Sequence, residues 1–198
     1  MWSAVSEVIF LGTGNAFSPP GRMHALALVD REILIDAPPT VLPQLRIAGV
    51  SPSDLNHLLF THWHADHTFG FPFLLLDRDK MGAINGKKGP LSVHCRPGGY
   101  NALGELCRLG FPGSLDNMIE KGVVWNHAES GDLSETNWRF ERFPVSHTPE
   151  TDPQGYKLSH KSGFCMVHCG DSGPCQKICL LYTSPSPRDL STSRMPSS

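Results

Sequence analysis

The chain has 198 residues, of which 39% are hydrophobic and 18% charged, a composition that permits one globular domain and excludes neither an enzyme nor a binding module. Its 17 basic and 19 acidic side chains leave a formal charge of -2, and no Lys/Arg run is longer than Lys87-Lys88, so there is no broad basic footprint for a long nucleic acid. No apolar run approaches the roughly 20 residues that cross a bilayer, and no membrane partner is expected.

From the N-terminus, residues 6–12 have the β-branched and aromatic content of a strand. No basic segment precedes them and Glu7 interrupts the apolar stretch, so they do not read as a signal peptide; a cytoplasmic protein is the expectation. Residues 13–20 form a Gly/Pro-rich loop, and 25–30 with 32–36 form a hairpin around Asp30-Arg31. Thr40 is placed to cap a helix ending near Ala48, with Gly49 beyond it. A turn at 51–54 leads to a buried strand at 57–61, then to a helical stretch at 65–77 that Gly70 and Pro72 should break. A Gly/Lys/Pro loop at 82–90, a strand at 91–95 and a helix at 99–109 follow. Further strands are predicted at 123–125, 138–143, 155–158 and 164–169. Strands at both ends with helices between them indicate a layered α/β structure. Six cysteines occur without a CxxC pair or zinc-ribbon spacing, so they read as ordinary thiols of a reducing compartment.

The chemistry concentrates after the strand at 57–61. His62 and His64 leave it on the same side, as period-2 neighbours do, and can share one divalent ion. Asp66 and His67 lie where a helix begins, with directions about 100° apart, and can address a second ion. Such a cluster is costly to desolvate unless something binds it. Zinc suits these nitrogen and oxygen donors; manganese and iron are compatible with them. Alone, His147 reads as an ordinary loop histidine and Asp171 as a turn residue; beside the central cluster both become candidate ligands. Trp63 and the run Phe69, Phe71, Phe73, Leu74, Leu75 and Leu76 read as packing beneath this loop.

Five segments, LGTGNAF, ILIDA, THWHADH, SHT and GDSG, occur in the order in which they are found in the metallo-beta-lactamase superfamily, which the chain resembles over residues 7–173, most closely its ribonuclease Z and small phosphodiesterase branches. The resemblance implies an αββα sandwich with two metal ions at one edge. His62, His64 and His147 would hold the first ion, Asp66 and His67 the second, and Asp171 would bridge them. It also implies one more histidine ligand downstream of GDSG, and no histidine follows His168.

The implied activity is hydrolysis of a phosphodiester by an activated water, with Asp66 orienting that water or receiving its proton. Asp36 stands where such proteins keep a carboxylate that orients a ligand. Arg22, His24, His94 and Tyr156 are candidate contacts to ligands or substrate. RNA (precursor transfer RNA) or a small nucleotide is the expected partner, and a second copy of the chain, as a homodimer, is a further candidate. A long basic arm for transfer RNA is not visible, the loop with Lys87 and Lys88 being short. Thioester or lactone hydrolysis, or a metal-binding pseudoenzyme, are the alternatives.

From Cys179 the chain becomes rich in Ser, Pro, Thr and Arg with no helical or strand period, and CLLYTSPSPRD resembles the translation of a sequencing-library adapter. The expectation is a hydrolase domain over 1–178, incomplete at its C-terminus and of weak activity, followed by a disordered non-native tail over 179–198.

Overall fold

Strand β1 (Val8–Gly12) pairs antiparallel with β2 (Leu26–Val29), and β2 with β3 (Ile33–Ile35), in a computed structural model that describes residues 6–86 and 89–183. Asp30 and Arg31 turn the β2–β3 hairpin at φ 47° and 62°, and Glu32 N closes it on Val29 O at 3.1 Å. Positive φ at both central residues is what a tight hairpin between right-twisted strands requires. The sheet then becomes parallel through β4 (His57–Leu59), β5 (Leu91–His94) and β6 (Val123–Asn126), in the order β1 to β6. Strand β4 is buried throughout and β5 nearly so, as inner strands of a sheet built with helical crossovers demand, whereas Val124 of β6 is exposed.

Helices α1 (Val41–Ile47), α3 (Phe71–Asn85) and α4 (Gly98–Gly110) are interspersed with these strands, with the short α2 (Ala65–Thr68) directly before α3. Val41 and Leu45 of α1, Phe71, Leu74 and Leu75 of α3, and Leu103 and Cys107 of α4 join Leu34, Leu58, Phe60 and Val93 of the sheet region in one hydrophobic core. The predicted break in the 65–77 stretch is real, and Pro72 stands in the first turn of α3, where a missing N–H costs nothing. Helix α3 nevertheless runs on through Gly82, so the loop expected from 82 starts at Gly86 instead; Lys87 and Lys88 lie outside the described residues.

Helix α3 carries Arg78, which has no exposed surface. Its guanidinium donates to Pro52 O at 2.7 Å, Leu55 O at 2.9 Å and Gly89 O at 2.8 Å, tying the helix to the turn before β4 and to the segment entering β5. Burial pulls its pKa down from the ordinary arginine value, opposed by the nearby Asp54 carboxylate. Phe69 and Phe73 depart from the expected packing: each is 51% exposed, because the helical period turns 71, 74 and 75 to the core and leaves 73 outside.

The chain divides between Ala128 and Glu129 into two compact units. The second carries its own antiparallel sheet, ordered β10-β9-β8-β7, from β7 (Ser130–Asp132), β8 (Trp138–Pro144), β9 (Gln154–His160) and β10 (Cys165–His168). In β8 the pattern alternates from Trp138 to Phe140, with the polar residues outward. Strand β7, Ser-Gly-Asp, was missed because it has no apolar side chain and exists only as the partner of β8. Helix α5 (Gln176–Thr183) crosses the boundary suggested at residue 178, and residues 184–198 lie outside the described part. Residues 1–5, on which part of the N-terminal reading fell, lie outside it as well. Among the described residues no helix is long and apolar enough to cross a membrane.

Candidate metal centre

The central motif begins where β4 ends. Phe60 N still bonds His94 O at 3.0 Å, after which the chain passes through Thr61, His62 and Trp63 to His64, whose extended backbone (φ -64°, ψ 151°) precedes α2. Trp63 points to the helical layer: a Cβ on Gly99 of α4 would come within 2.4 Å of its ring. His62 and His67 are buried, whereas His64 and Asp66 are half-buried.

The short helix α2 is held against the segment that follows β3. Ala37 N donates to His67 O and Gly70 N donates to Ala37 O, both at 2.8 Å. Gly70 is demanded by that approach, since a Cβ there would lie 2.0 Å from Pro38 O. The backbone of the ligand-bearing helix is thereby fixed before any side chain is considered.

Asp36 is the hub of the side chains. It is 1% exposed and sits at φ 70°, a left-handed conformation that a non-glycine residue adopts at a cost of order 1–3 kcal/mol. Its Oδ1 accepts from Thr61 N and its Oδ2 from Thr61 Oγ1, each at 2.8 Å. Oδ2 also lies 2.8 Å from His67 Nδ1. A carboxylate there selects the Nδ1–H tautomer and leaves the lone pair on His67 Nε2, which faces Asp66 Oδ2 at 3.5 Å.

His62 Nε2 and His64 Nδ1 lie 3.1 Å apart, with ring centroids separated by 4.9 Å; His62 and His67 centroids are 4.1 Å apart. Two nitrogens held by a tetrahedral zinc at its usual 2.0–2.1 Å would stand roughly 3.3 Å apart. The separation of these two therefore fits one shared ion. The wider donor set, imidazoles with a carboxylate beside them, is also the chemistry that such ions select.

In the second unit, Gly173 N bonds Ser146 O at 2.7 Å in an isolated antiparallel bridge. That bridge holds the segment bearing His147 beside the segment bearing Asp171, both half-buried. Tyr156 has no exposed surface, and Gln154 Nε2 donates to its hydroxyl at 3.1 Å. In the first unit, His94 is 1% exposed with Nε2 3.0 Å from His57 Nδ1. Arg22 is exposed on the β1–β2 loop. His24 is engaged by Thr40 Oγ1 at 3.1 Å, and that hydroxyl donates to Gln44 Oε1 at 2.8 Å and does not cap α1.

Comparison with known proteins supplies the frame for this geometry. A family model described as Anti-Pycsar protein Apyc1 matches residues 6–89. The ribonuclease Z of Methanothermobacter thermautotrophicus is 31% identical over 145 residues, covering 72% of this chain and 45% of that protein. The crystal structure of the metallo-beta-lactamase fold protein YhfI from Bacillus subtilis superposes with a TM-score of 0.68 at 16% identity, over 87% of this chain and 65% of that one. This chain has the metallo-beta-lactamase fold. Human tRNase Z, short form, agrees with that assignment at a TM-score of 0.63 and 20% identity, over 89% of this chain and 73% of that one. The chain spans less than half the length of the ribonuclease Z proteins it matches. Within this metallo-beta-lactamase-fold chain, sequence reasoning gave Thr61 no role of its own and read Gly70 only as a helix breaker. A hydroxyl directly before the first motif histidine, at the end of a buried strand, was the available signal for Thr61; a glycine just past a ligand-bearing helix was the signal for Gly70.

Proposed function

We propose that this chain is a metal-dependent hydrolase that cleaves phosphodiester bonds, with RNA such as precursor transfer RNA, or a small nucleotide, as substrate. The observation that carries the reading is the pre-oriented imidazole cluster, in which Asp36 fixes His67 and the His62 and His64 nitrogens stand 3.1 Å apart. The relatives named ribonuclease Z support the substrate class. In this reading His62, His64 and His147 would serve as ligands of one divalent ion and Asp66 and His67 of a second, with Asp171 as a further carboxylate ligand. Zinc is the first choice of metal, and manganese or iron suits the same donors.

Divalent ions bound there supply Lewis-acid chemistry, lowering the pKa of water and polarising phosphoryl oxygen. The protein residues supply orientation. Asp36 keeps the His67 ring in one tautomer, and the Ala37–His67 and Gly70–Ala37 bonds fix the backbone of α2. Asp66, its side chain 11% exposed, is the carboxylate placed to orient the attacking water and to receive its proton at Oδ2.

Protein stripped with a chelator and reloaded with zinc is to be assayed on bis-p-nitrophenyl phosphate, cyclic nucleotides, precursor transfer RNA and a lactone. Zinc-dependent cleavage of a phosphodiester is expected. Asp66→Asn should lower turnover by about 10²-fold or more, with a smaller loss of binding at the His62–His64 ion. Turnover confined to the lactone would overturn the substrate class.

A further inference from the structure

The hub at Asp36 touches His67 directly, whereas the other buried motif histidine, His62, is bonded to Thr61. The second arm runs through Thr61. A threonine hydroxyl has one proton, and Thr61 Oγ1 donates it to Asp36 Oδ2 at 2.8 Å. The same oxygen lies 3.0 Å from His62 Nδ1 and, with its proton committed, can only accept. His62 must therefore carry its hydrogen on Nδ1 and its lone pair on Nε2, the atom 3.1 Å from His64 Nδ1. His67 reaches the same state directly from Asp36.

We infer that Thr61 is a positioning residue, whose hydroxyl relays the Asp36 carboxylate to His62 so that one buried carboxylate sets the tautomer of two histidines. That the two Nε2 atoms then meet metal ions rests on the function proposed above; the tautomer itself does not. The two arms are separable, because Thr61 N bonds Asp36 Oδ1 at 2.8 Å whatever side chain stands at 61. Replacing the hydroxyl by a methyl cuts the His62 arm and leaves both the backbone bond and the His67 arm.

The test uses the full chain with ¹⁵N-labelled histidine, metal-free, with the tautomers read from long-range ¹H–¹⁵N correlations. In the wild type, His62 and His67 should both show protonated Nδ1 and unprotonated Nε2. Thr61→Val should shift His62 to a mixture or to the other tautomer while His67 stays unchanged; Thr61→Ser should restore His62, and Asp36→Asn should disturb both. Zinc affinity, measured by competition with a chromophoric chelator, should fall 10–100-fold in Thr61→Val and recover in Thr61→Ser. A wild-type His62 protonated on Nε2 would overturn the inference without any variant, as would a Thr61→Val protein that keeps the wild-type His62 signature. If the wild type shows the expected tautomers but binds no zinc, the relay stands and the metal reading fails.

Discussion

The two units hold their candidate ligands in different ways. In the first, His62, His64 and His67 lie within nine residues of the end of a parallel strand, on a backbone clamped at Ala37 and Gly70, and two of the three rings bond to Asp36 or Thr61. In the second, His147 and Asp171 are half-buried on connecting segments beside one isolated bridge, outside the strands of an antiparallel sheet. Stability and ligand geometry are therefore coupled in the first unit and separable in the second. A parallel sheet covered by helices can hold a rigid loop at its C-terminal edge, whereas a meander offers ligands from its connections.

The largest effect expected from this contrast is at Arg78. Arg78→Met would leave the carbonyls of Pro52, Leu55 and Gly89 without this donor, and unfolding in urea should show a loss of about 3 kcal/mol or more. Next comes Gly70→Ala. Its methyl must displace the Pro38 carbonyl, so a loss of about 1–3 kcal/mol is expected together with weaker zinc binding, since the same backbone carries His67. The comparison is sharpened by His147→Ala and Asp171→Ala, which should weaken zinc binding while lowering the unfolding free energy of the metal-free protein by less than Gly70→Ala does. Equal destabilisation by the second-unit and first-unit variants would break it.

Thiol chemistry divides along the same line with a smaller effect. Cys95 and Cys107 of the first unit are buried, whereas Cys165 and Cys179 of the second are exposed. Burial pushes the Cys107 thiol from its ordinary 9.0 up to about 12, against the opposing Arg108 charge. Its folded-state pKa is raised, so the stability gained by burying the neutral thiol is complete below pH 9 and is lost as pH rises toward 12. Iodoacetamide at pH 8 should label Cys165 and Cys179 readily and Cys107 only after unfolding, as read by peptide mass mapping. Labelling of Cys107 in the folded protein would show that its thiol is neither buried nor neutral.

The parts of the fold that could be read from sequence are those in which local pattern and tertiary role coincide. The Asp30-Arg31 turn, the apolar strand before His62 and the helix at 98–110 all declare themselves through turn chemistry or periodicity. Where tertiary contacts override local preference, the reading failed. Arg78 looks like one more surface charge in DRDK until the carbonyls of two other segments are seen around it, and nothing in the local pattern announces that α3 runs past Gly82. For the site, the HxHxDH spacing identifies the ligand types, but the network that orients them depends on residues 25 and 31 positions apart, Asp36 with Thr61 and with His67. No periodicity records such a contact.

Zinc X-ray absorption on the reconstituted protein tests the central claim most directly, because the six cysteines offer a competing set of ligands. The account predicts nitrogen and oxygen scatterers at about 2.0–2.1 Å with the outer-shell pattern of imidazole rings. Sulfur at about 2.3 Å, or no retained zinc, would contradict it.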